Sequence, residues 1–407
     1  MFKRGADLID VILADNTRPA CGGPPLIRYS AGGVYLALAK KKMDVRWVDL
    51  MTDPDGPPSS VEYGDPSEAC CFAVFFGNKV NAFRLMENAR SLAQKPRLII
   101  AFGPFASVFS EEILTRGLAD IVVSHDPEFV IPLLLKEGSK PSPVSTIPNL
   151  SYMHEGKVIH TQKHSYHDLD EVPFISPFLY EKGQRPAVIM ATRGCQYHCV
   201  FCDRNVLWGG GVRKRSVANV LEEIRELIEV HHVKEFEFLD EDLAADQKFL
   251  VALCEGIRKI KGDFHWFCSA CVDSVNQKLL LLMGHSRCKE VFFGVESASP
   301  QVLRKIGKKY GRQEILDSVR WAREAGLRVE VMLTTGNSGE TDQDRDLTLS
   351  AIQEMGTSGI SLRTNRLVIL PGTAYYRKGL KEGWFTPKSF FEDEWVIFYD
   401  EDKYRHS

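Results

Sequence analysis

Short, almost unbroken apolar runs recur along the chain between segments of helical periodicity, and this alternation constrains the fold more than any other feature. ACCFAVFFG, residues 69–77, holds no charged or amide side chain, so a strand there has both faces buried. Strands of that kind belong to parallel sheets whose faces are covered by crossover helices. LIDVILAD, DVRWVDL, RLIIAFG and DIVVS repeat the pattern, with the helix-like YSAGGVYLALAKK and NAFRLMENARSLAQ between them. A second alternation opens at AVIMATRG and continues through EFEFLDED, FHWFCSACVD, EVFFGVES, RVEVMLTTG and the stretch from ISLRTN to LVILPG. In it, SVANVLEEIRELIEV puts Val217, Val220, Leu221, Ile224 and Leu227 on one helix face, with Ser216 placed to cap it. This half contains about six β/α units, which suits a partial barrel better than a closed one of eight. Residues 139–184, rich in Pro, Gly and Asp, read as a linker.

The 407 residues are 44% hydrophobic and 26% charged, enough for two or more cores and a large cofactor. Basic residues number 51 and acidic residues 54, so no broad positive surface for nucleic acid is expected. No apolar run approaches the roughly 18 residues of a membrane span, and a cytoplasmic protein is expected. Ten cysteines in such a chain point to metal or chemistry where they cluster, while isolated Cys21, Cys254 and Cys288 read as small buried hydrophobes. The cluster is ATRGCQYHCVFCDR, in which Cys195, Cys199 and Cys202 follow a C-x3-C-x2-C spacing on a strand-end loop. Three thiolates there can hold three irons of a four-iron, four-sulfur cluster and leave the fourth open to a ligand. With His198 as a fourth ligand the same loop can instead hold zinc as a non-enzymatic module.

The loop and its setting resemble the radical S-adenosylmethionine superfamily over residues 185 to about 385. That resemblance implies a partial (β/α)6 barrel with a 4Fe-4S cluster on Cys195, Cys199 and Cys202. It also implies S-adenosylmethionine on the open iron, cleaved by an electron to a 5'-deoxyadenosyl radical, and an external electron donor such as flavodoxin or ferredoxin. Phe201 matches the position beside the adenine. Asp240 and Asp242 follow EFEFL at a strand's carboxyl end, where carboxylates can accept hydrogen bonds from an ammonium or ribose, and Glu241 lies between them. Ser269 and Cys271 in FCSACVD, and Glu296 in GVES, lie where the family places ribose and methionine contacts. GNSGET (336–341) is similar to the family's G-x-P-G-E-T turn, with Asn337 and Ser338 replacing its apolar residue and proline. LPGTAYY (370–376) resembles the turn of the last β/α unit.

Before the linker, PPLIRYSAGGVYLALAKKKMDVRWVDL and IIAFGPFASVFSEEIL resemble the cobalamin-binding subgroup of that superfamily, as do IPNLSYMHEGKV and DLDEVPF after it begins. The implied first domain, residues 1–138, is a Rossmann-like (flavodoxin-like) α/β domain that binds cobalamin. The linker spans 139–184, the barrel 185–385 and a C-terminal tail 386–407. Asn16, Thr17 and Arg18 on the first strand-end loop, with Gly103, are the expected corrin contacts. A single glycine in Phe102-Gly103-Pro104 and SHDPE at 124–128 depart from the subgroup and add bulk. His125 reads as a polar loop residue. No G-x-G-x-x-G follows the first strand, so dinucleotide binding has little support.

These features imply a cobalamin-dependent methyltransferase acting on an unactivated carbon of a small molecule. Alternatives are a radical cyclase, rearrangement or oxidation enzyme without a methyl-carrying cobalamin, and the zinc module. No Ser/His/Asp or paired-carboxylate constellation marks a catalytic acid or base.

Overall fold

The computed structural model describes residues 8–14, 24–50, 68–137 and 144–392. The chain divides into two compact units, one of Met1–Lys182 with Val206–Gly209 and one of Gly183–Asn205 with Gly210–Ser407. The expected corrin contacts Asn16, Thr17 and Arg18, together with Cys21, lie outside the described residues.

The first unit contains β1 (Leu8–Leu13), β2 (Asp44–Asp49), β3 (Ala69–Ala73), β4 (Leu98–Phe102), β5 (Ile121–Val123), β6 (Leu150–His154) and β7 (Lys157–His160). They form one seven-stranded sheet in the order β2-β1-β3-β4-β5-β6-β7. Its helices are α1 (Pro24–Lys40), α2 (Lys79–Ser91), α3 (Pro104–Val108), α4 (Ser110–Thr115), α5 (Pro127–Glu137) and α6 (Ile175–Glu181). Strands β1 to β5 are parallel, and β3 is buried along its whole length, as its apolar run requires. Asp10 is fully buried in β1, and its two carboxylate oxygens receive Arg46 Nε and Nη2 from β2 at 2.7 and 2.8 Å. Such bidentate pairing supplies the partners a buried carboxylate needs. The sheet reverses winding between β1 and β3, and in parallel sheets ligands bind outside the carboxyl ends at such a point.

The segment read as a linker holds more structure than its composition implies. Strands β6 and β7 form an antiparallel hairpin that extends the first sheet from β5. Helix α6 packs on α1, where Cβ atoms built on Gly32 and Gly33 would lie 3.1 and 3.2 Å from Ile175. The glycines let the two helices approach closely.

From residue 187 onward come β8 (Ala187–Ile189), β9 (Thr192–Arg193), α7 (Arg204–Trp208), β10 (Arg213–Lys214), α8 (Val217–Arg225), β11 (Glu235–Phe238) and α9 (Gln247–Ile257). There follow β12 (His265–Ala270), α10 (Gln277–His285), β13 (Cys288–Glu296), α11 (Pro300–Ile306) and α12 (Arg312–Glu324). The last elements are β14 (Arg328–Thr335), α13 (Asp342–Met355), β15 (Ile360–Arg366), α14 (Ala374–Lys381) and α15 (Pro387–Glu392). Six strands form a parallel sheet ordered β15-β14-β13-β12-β11-β8, so each strand lies beside its predecessor. Among the described residues β15 and β8 do not pair, and the barrel is open.

Sequential winding sends every crossover helix to one face, which the burial alternation records. Val329, Val331 and Leu333 of β14 are buried, while Glu330, Met332 and Thr334 on the other face are half-exposed. Ser216 caps α8 as expected, accepting from Asn219 N at 3.1 Å. Cys254 and Cys288 are buried core residues, also as expected. The stretch LVILPG lies beyond β15 and is not part of it.

Close helix packing gives a stability test. A Cβ built on Gly284 of α10 would lie 2.4 Å from the backbone oxygen of Ala325, which follows α12 and cannot rotate away. Gly284→Ala is expected to lower unfolding stability by about 1–3 kcal/mol in urea titrations.

Candidate active site

Strand β8 runs directly into the cysteine loop, and the start of that loop is fixed by one carboxylate. Asp240, 2% exposed at the carboxyl end of β11, accepts from Ala191 N at 3.0 Å and Thr192 N at 2.6 Å. The two-residue ladder of β9 and β10 pairs Arg193 with Arg213 and turns the chain back over the loop. Between them Gly194 has φ +93°, and a Cβ there would lie 1.9 Å from the Gly211 oxygen. Only glycine fits immediately before Cys195.

Three further elements fasten the loop. Tyr197 Oη donates to Asp273 Oδ1 at 2.9 Å, just beyond β12. Val200 N donates to the Ile306 oxygen of α11 at 3.3 Å, and Tyr375 N of α14 donates to the Val200 oxygen at 3.1 Å. Asp242, 4% exposed, takes Cys271 N at 3.1 Å and the Ser274 hydroxyl on its other oxygen. Both acids singled out in the sequence are therefore occupied by the protein's own donors and brace the site. Glu241, between them, lies 3.6 Å from Arg204 Nε.

Cys195, Cys199 and Cys202 are all partly buried, and Cys199 lies within electrostatic range of both Cys195 and Cys202. Burial pushes the Cys195 thiol up to about 11 and the Cys202 thiol up to about 12, with Arg204 opposing the latter. Burial raises Cys199 as well, against the pull of Lys308. His198 is exposed, and among the described residues no three His, Cys, Asp or Glu side chains converge closely enough for a single metal ion. Three thiols on one loop are then the donor set. It fits a cluster, in which each thiolate takes a different iron. Phe201 is half-buried within the loop, and Ser269 is half-buried at the end of β12.

Glu296 ends β13 in a left-handed conformation, φ +65°, where the pairing with β14 shifts register between Gly294 and Glu296. Bulges and positive φ at a non-glycine residue re-aim a side chain at a cost in strain. Here they aim a carboxylate that receives the Thr334 hydroxyl. Lys308 Nζ and Tyr310 Oη donate to the Gly294 oxygen at 3.1 and 2.6 Å. The sequence reading overlooked Lys308, Tyr310 and Thr334; GKKYG directly after a helix following GVES is the signal that marks the first two. In the GNSGET turn, Gly336 N and Asn337 N donate to Glu340 Oε2 at 2.7 and 3.2 Å, and Asn337 Nδ2 donates to the Thr334 oxygen at 2.8 Å. Asn337 supplies by hydrogen bonding the stiffness that the missing proline would give.

In the first unit, the φ of Gly103 is +109°, and a Cβ there would lie 2.6 Å from the Val74 oxygen and 3.1 Å from the Phe75 ring. The glycine is demanded by the protein's own packing. His125 is half-buried after β5, its backbone oxygen accepting from Asn149 Nδ2 at 3.4 Å. No helix among the described residues is long and apolar enough to cross a membrane.

Residues 189–352, from the end of β8 into α13, match the radical SAM superfamily. That stretch of the second unit is a radical S-adenosylmethionine domain. Its cofactors are a four-iron, four-sulfur cluster and S-adenosylmethionine. Over 346 residues the chain is 28% identical to an uncharacterized methyltransferase of Pyrococcus horikoshii, covering 82% of this chain and 74% of that protein. It is 24% identical over 216 residues to the cytidylyl-2-hydroxyethylphosphonate methyltransferase of Streptomyces wedmorensis, covering 51% of this chain and 40% of that one. Its fold is that of the radical S-adenosylmethionine methyltransferase TsrM of Kitasatospora setae, solved with cobalamin and a [4Fe-4S] cluster, with TM-score 0.77, 15% identity and coverage of 93% and 75%. The cobalamin-dependent radical enzyme OxsB, solved with aqua-cobalamin, gives TM-score 0.78 at 16% identity, covering 98% of this chain and 65% of that one. These likenesses establish the α/β architecture of the chain.

Asp240 offers a test of how the loop is held. Burial raises its carboxyl from 3.8 to about 7, although the two amides favour the charged form. The folded chain then keeps a proton that the unfolded chain releases, so this group's contribution to stability falls as pH rises from about 4 to about 7 and is level above. Urea unfolding across that range should show a slope of at most about 1.4 kcal/mol per pH unit from this group, and Asp240→Asn should remove it.

Proposed function

We propose that this chain is a cobalamin-dependent radical S-adenosylmethionine methyltransferase acting on an unactivated carbon of a small molecule, in the cytoplasm, with a flavodoxin or ferredoxin as electron donor. The observation that carries the reading is the three-cysteine loop that follows β8, in a parallel sheet whose strands β12 and β13 carry Ser269 and Glu296 at their carboxyl ends. The methyltransferase relatives and the cobalamin-bound neighbours support it. When bound, the cluster with S-adenosylmethionine supplies a 5'-deoxyadenosyl radical and cobalamin supplies a methyl group.

The chain's own residues do the positioning. Cys195, Cys199 and Cys202 hold the cluster, and Asp240 and Asp242 act on the cosubstrate through the loops they fix. Glu296, held by Thr334 and its left-handed backbone, accepts from the polar groups of S-adenosylmethionine, with Ser269 beside the ribose and Phe201 beside the adenine. Gly103 is the proposed corrin contact of the first unit, together with residues 16–18, which lie outside the described residues. A second reading is a radical enzyme in which cobalamin carries no methyl, favoured by the bulk at Phe102-Gly103-Pro104 and at SHDPE (124–128).

Anaerobic reconstitution with iron, sulfide and hydroxocobalamin separates these readings. About four irons and about one corrin per chain are expected after desalting, with label from methyl-labelled S-adenosylmethionine passing to the corrin. Replacing Cys195, Cys199 and Cys202 by Ala should abolish the iron without removing the corrin. Iron without corrin supports the second reading, and zinc in place of iron would sink both.

A further inference from the structure

Two cations lie beside the cysteine loop, and their partners differ. Arg204 is 3.6 Å from Glu241, a carboxylate that offsets its charge. Lys308 makes no ion pair within bridging distance among the described residues; its ammonium donates to the Gly294 oxygen at 3.1 Å and lies 5.6 Å from the Tyr310 ring centre. Lysines near a helix C-terminus ordinarily serve the last carbonyls of that helix. Here Nζ turns from α11 to a carbonyl of β13. The backbone that carries it is locked against the loop. Gly307, φ +85°, would place a Cβ 3.4 Å from the His198 oxygen and 3.8 Å from Cys199 Cα. Burial around Lys308 is partial, and Cys199, Cys271 and Glu296 are its electrostatic neighbours. Glu296 accepts the Thr334 hydroxyl on one carboxylate oxygen and stays within electrostatic range of Lys308 without bridging to it.

We propose that Lys308 sets the reduction potential of the cluster held by Cys199 and its partners, favouring the reduced form. The inference rests on the cluster assignment above. Reduction brings one electron from a low-potential donor onto the cluster; no bond forms or breaks and no proton moves. The site becomes one unit more negative, and a fixed positive charge at partly desolvated range stabilises that state over the oxidised one. Lys308 is in these terms a positioning charge, acting through the cluster.

The test is an EPR-monitored redox titration of the reconstituted full chain without S-adenosylmethionine, comparing the natural protein with Lys308→Met, Lys308→Gln and Lys308→Arg. The two neutral variants should show a reduced-to-oxidised ratio about tenfold lower at a given poise, a midpoint about 59 mV more negative for one electron. Lys308→Arg, which keeps the charge, should stay close to the natural midpoint. Unchanged midpoints at equal iron content would overturn the inference. Loss of iron from both neutral variants would overturn it too, making Lys308 a structural prop. Failure of the natural protein itself to take up iron would instead strike the cluster assignment.

Discussion

The two amide hydrogen bonds that Ala191 and Thr192 give to Asp240 determine where the cysteine loop leaves its strand. Everything downstream takes its position from that exit. Gly194 can make its left-handed turn under Gly211 only if the chain arrives there. The ties from Tyr197 to Asp273 and from Val200 to Ile306 then hold the far side of the loop. The thiols contribute little to this scaffold; they are presented by backbone and by carboxylates on neighbouring strands. Ties of this kind lower the cost of ordering the loop when a cofactor binds.

The same alternation of strand and helix gives two different kinds of site because the winding differs. In the first unit the order reverses between β1 and β3, an arrangement that puts crossover helices on both faces and a binding crevice at the carboxyl edge of the sheet. The second unit is wound sequentially, so helices take one face and the other becomes the lumen of a partial barrel. Half-exposed residues such as Glu330, Met332 and Thr334 face that lumen, and its upper rim carries Glu296 and Ser269. Large cofactors can lie across a sheet edge, whereas a radical needs walls.

Most of this was legible in the sequence because the signals were periodic or chemical. Buried parallel strands announce themselves as apolar runs, and C-x3-C-x2-C announces itself by spacing. What escaped was conformational. Pro and Gly in residues 139–184 mask the hairpin of β6 and β7, whose turn glycine, Gly156 at φ +75°, is the residue that makes it possible. The aim of Glu296 depends on a register shift between two strands, which no local pattern encodes. Lys308 depends on a helix ending at Gly307 and on a carbonyl fourteen positions upstream. Asp240 and Asp242 were found by their place at a strand end, but their full occupancy by backbone and hydroxyl donors is a tertiary fact.

Burial has a consistent effect across the site. It raises the three cluster thiols, Asp240, Asp242 and Glu296 toward their neutral forms. An empty site can therefore shed its negative charge by holding protons, and thiols so raised stay protonated near neutral pH. Iron must displace those protons, since only the thiolate is a ligand. Loading the site exchanges protons for metal at Cys195, Cys199 and Cys202, while the ammonium of Lys308 remains. Its charge is then set against a centre that gains negative charge on reduction, so the one cation near Cys199 without a bridging carboxylate among the described residues acts most strongly in the state that matters for chemistry.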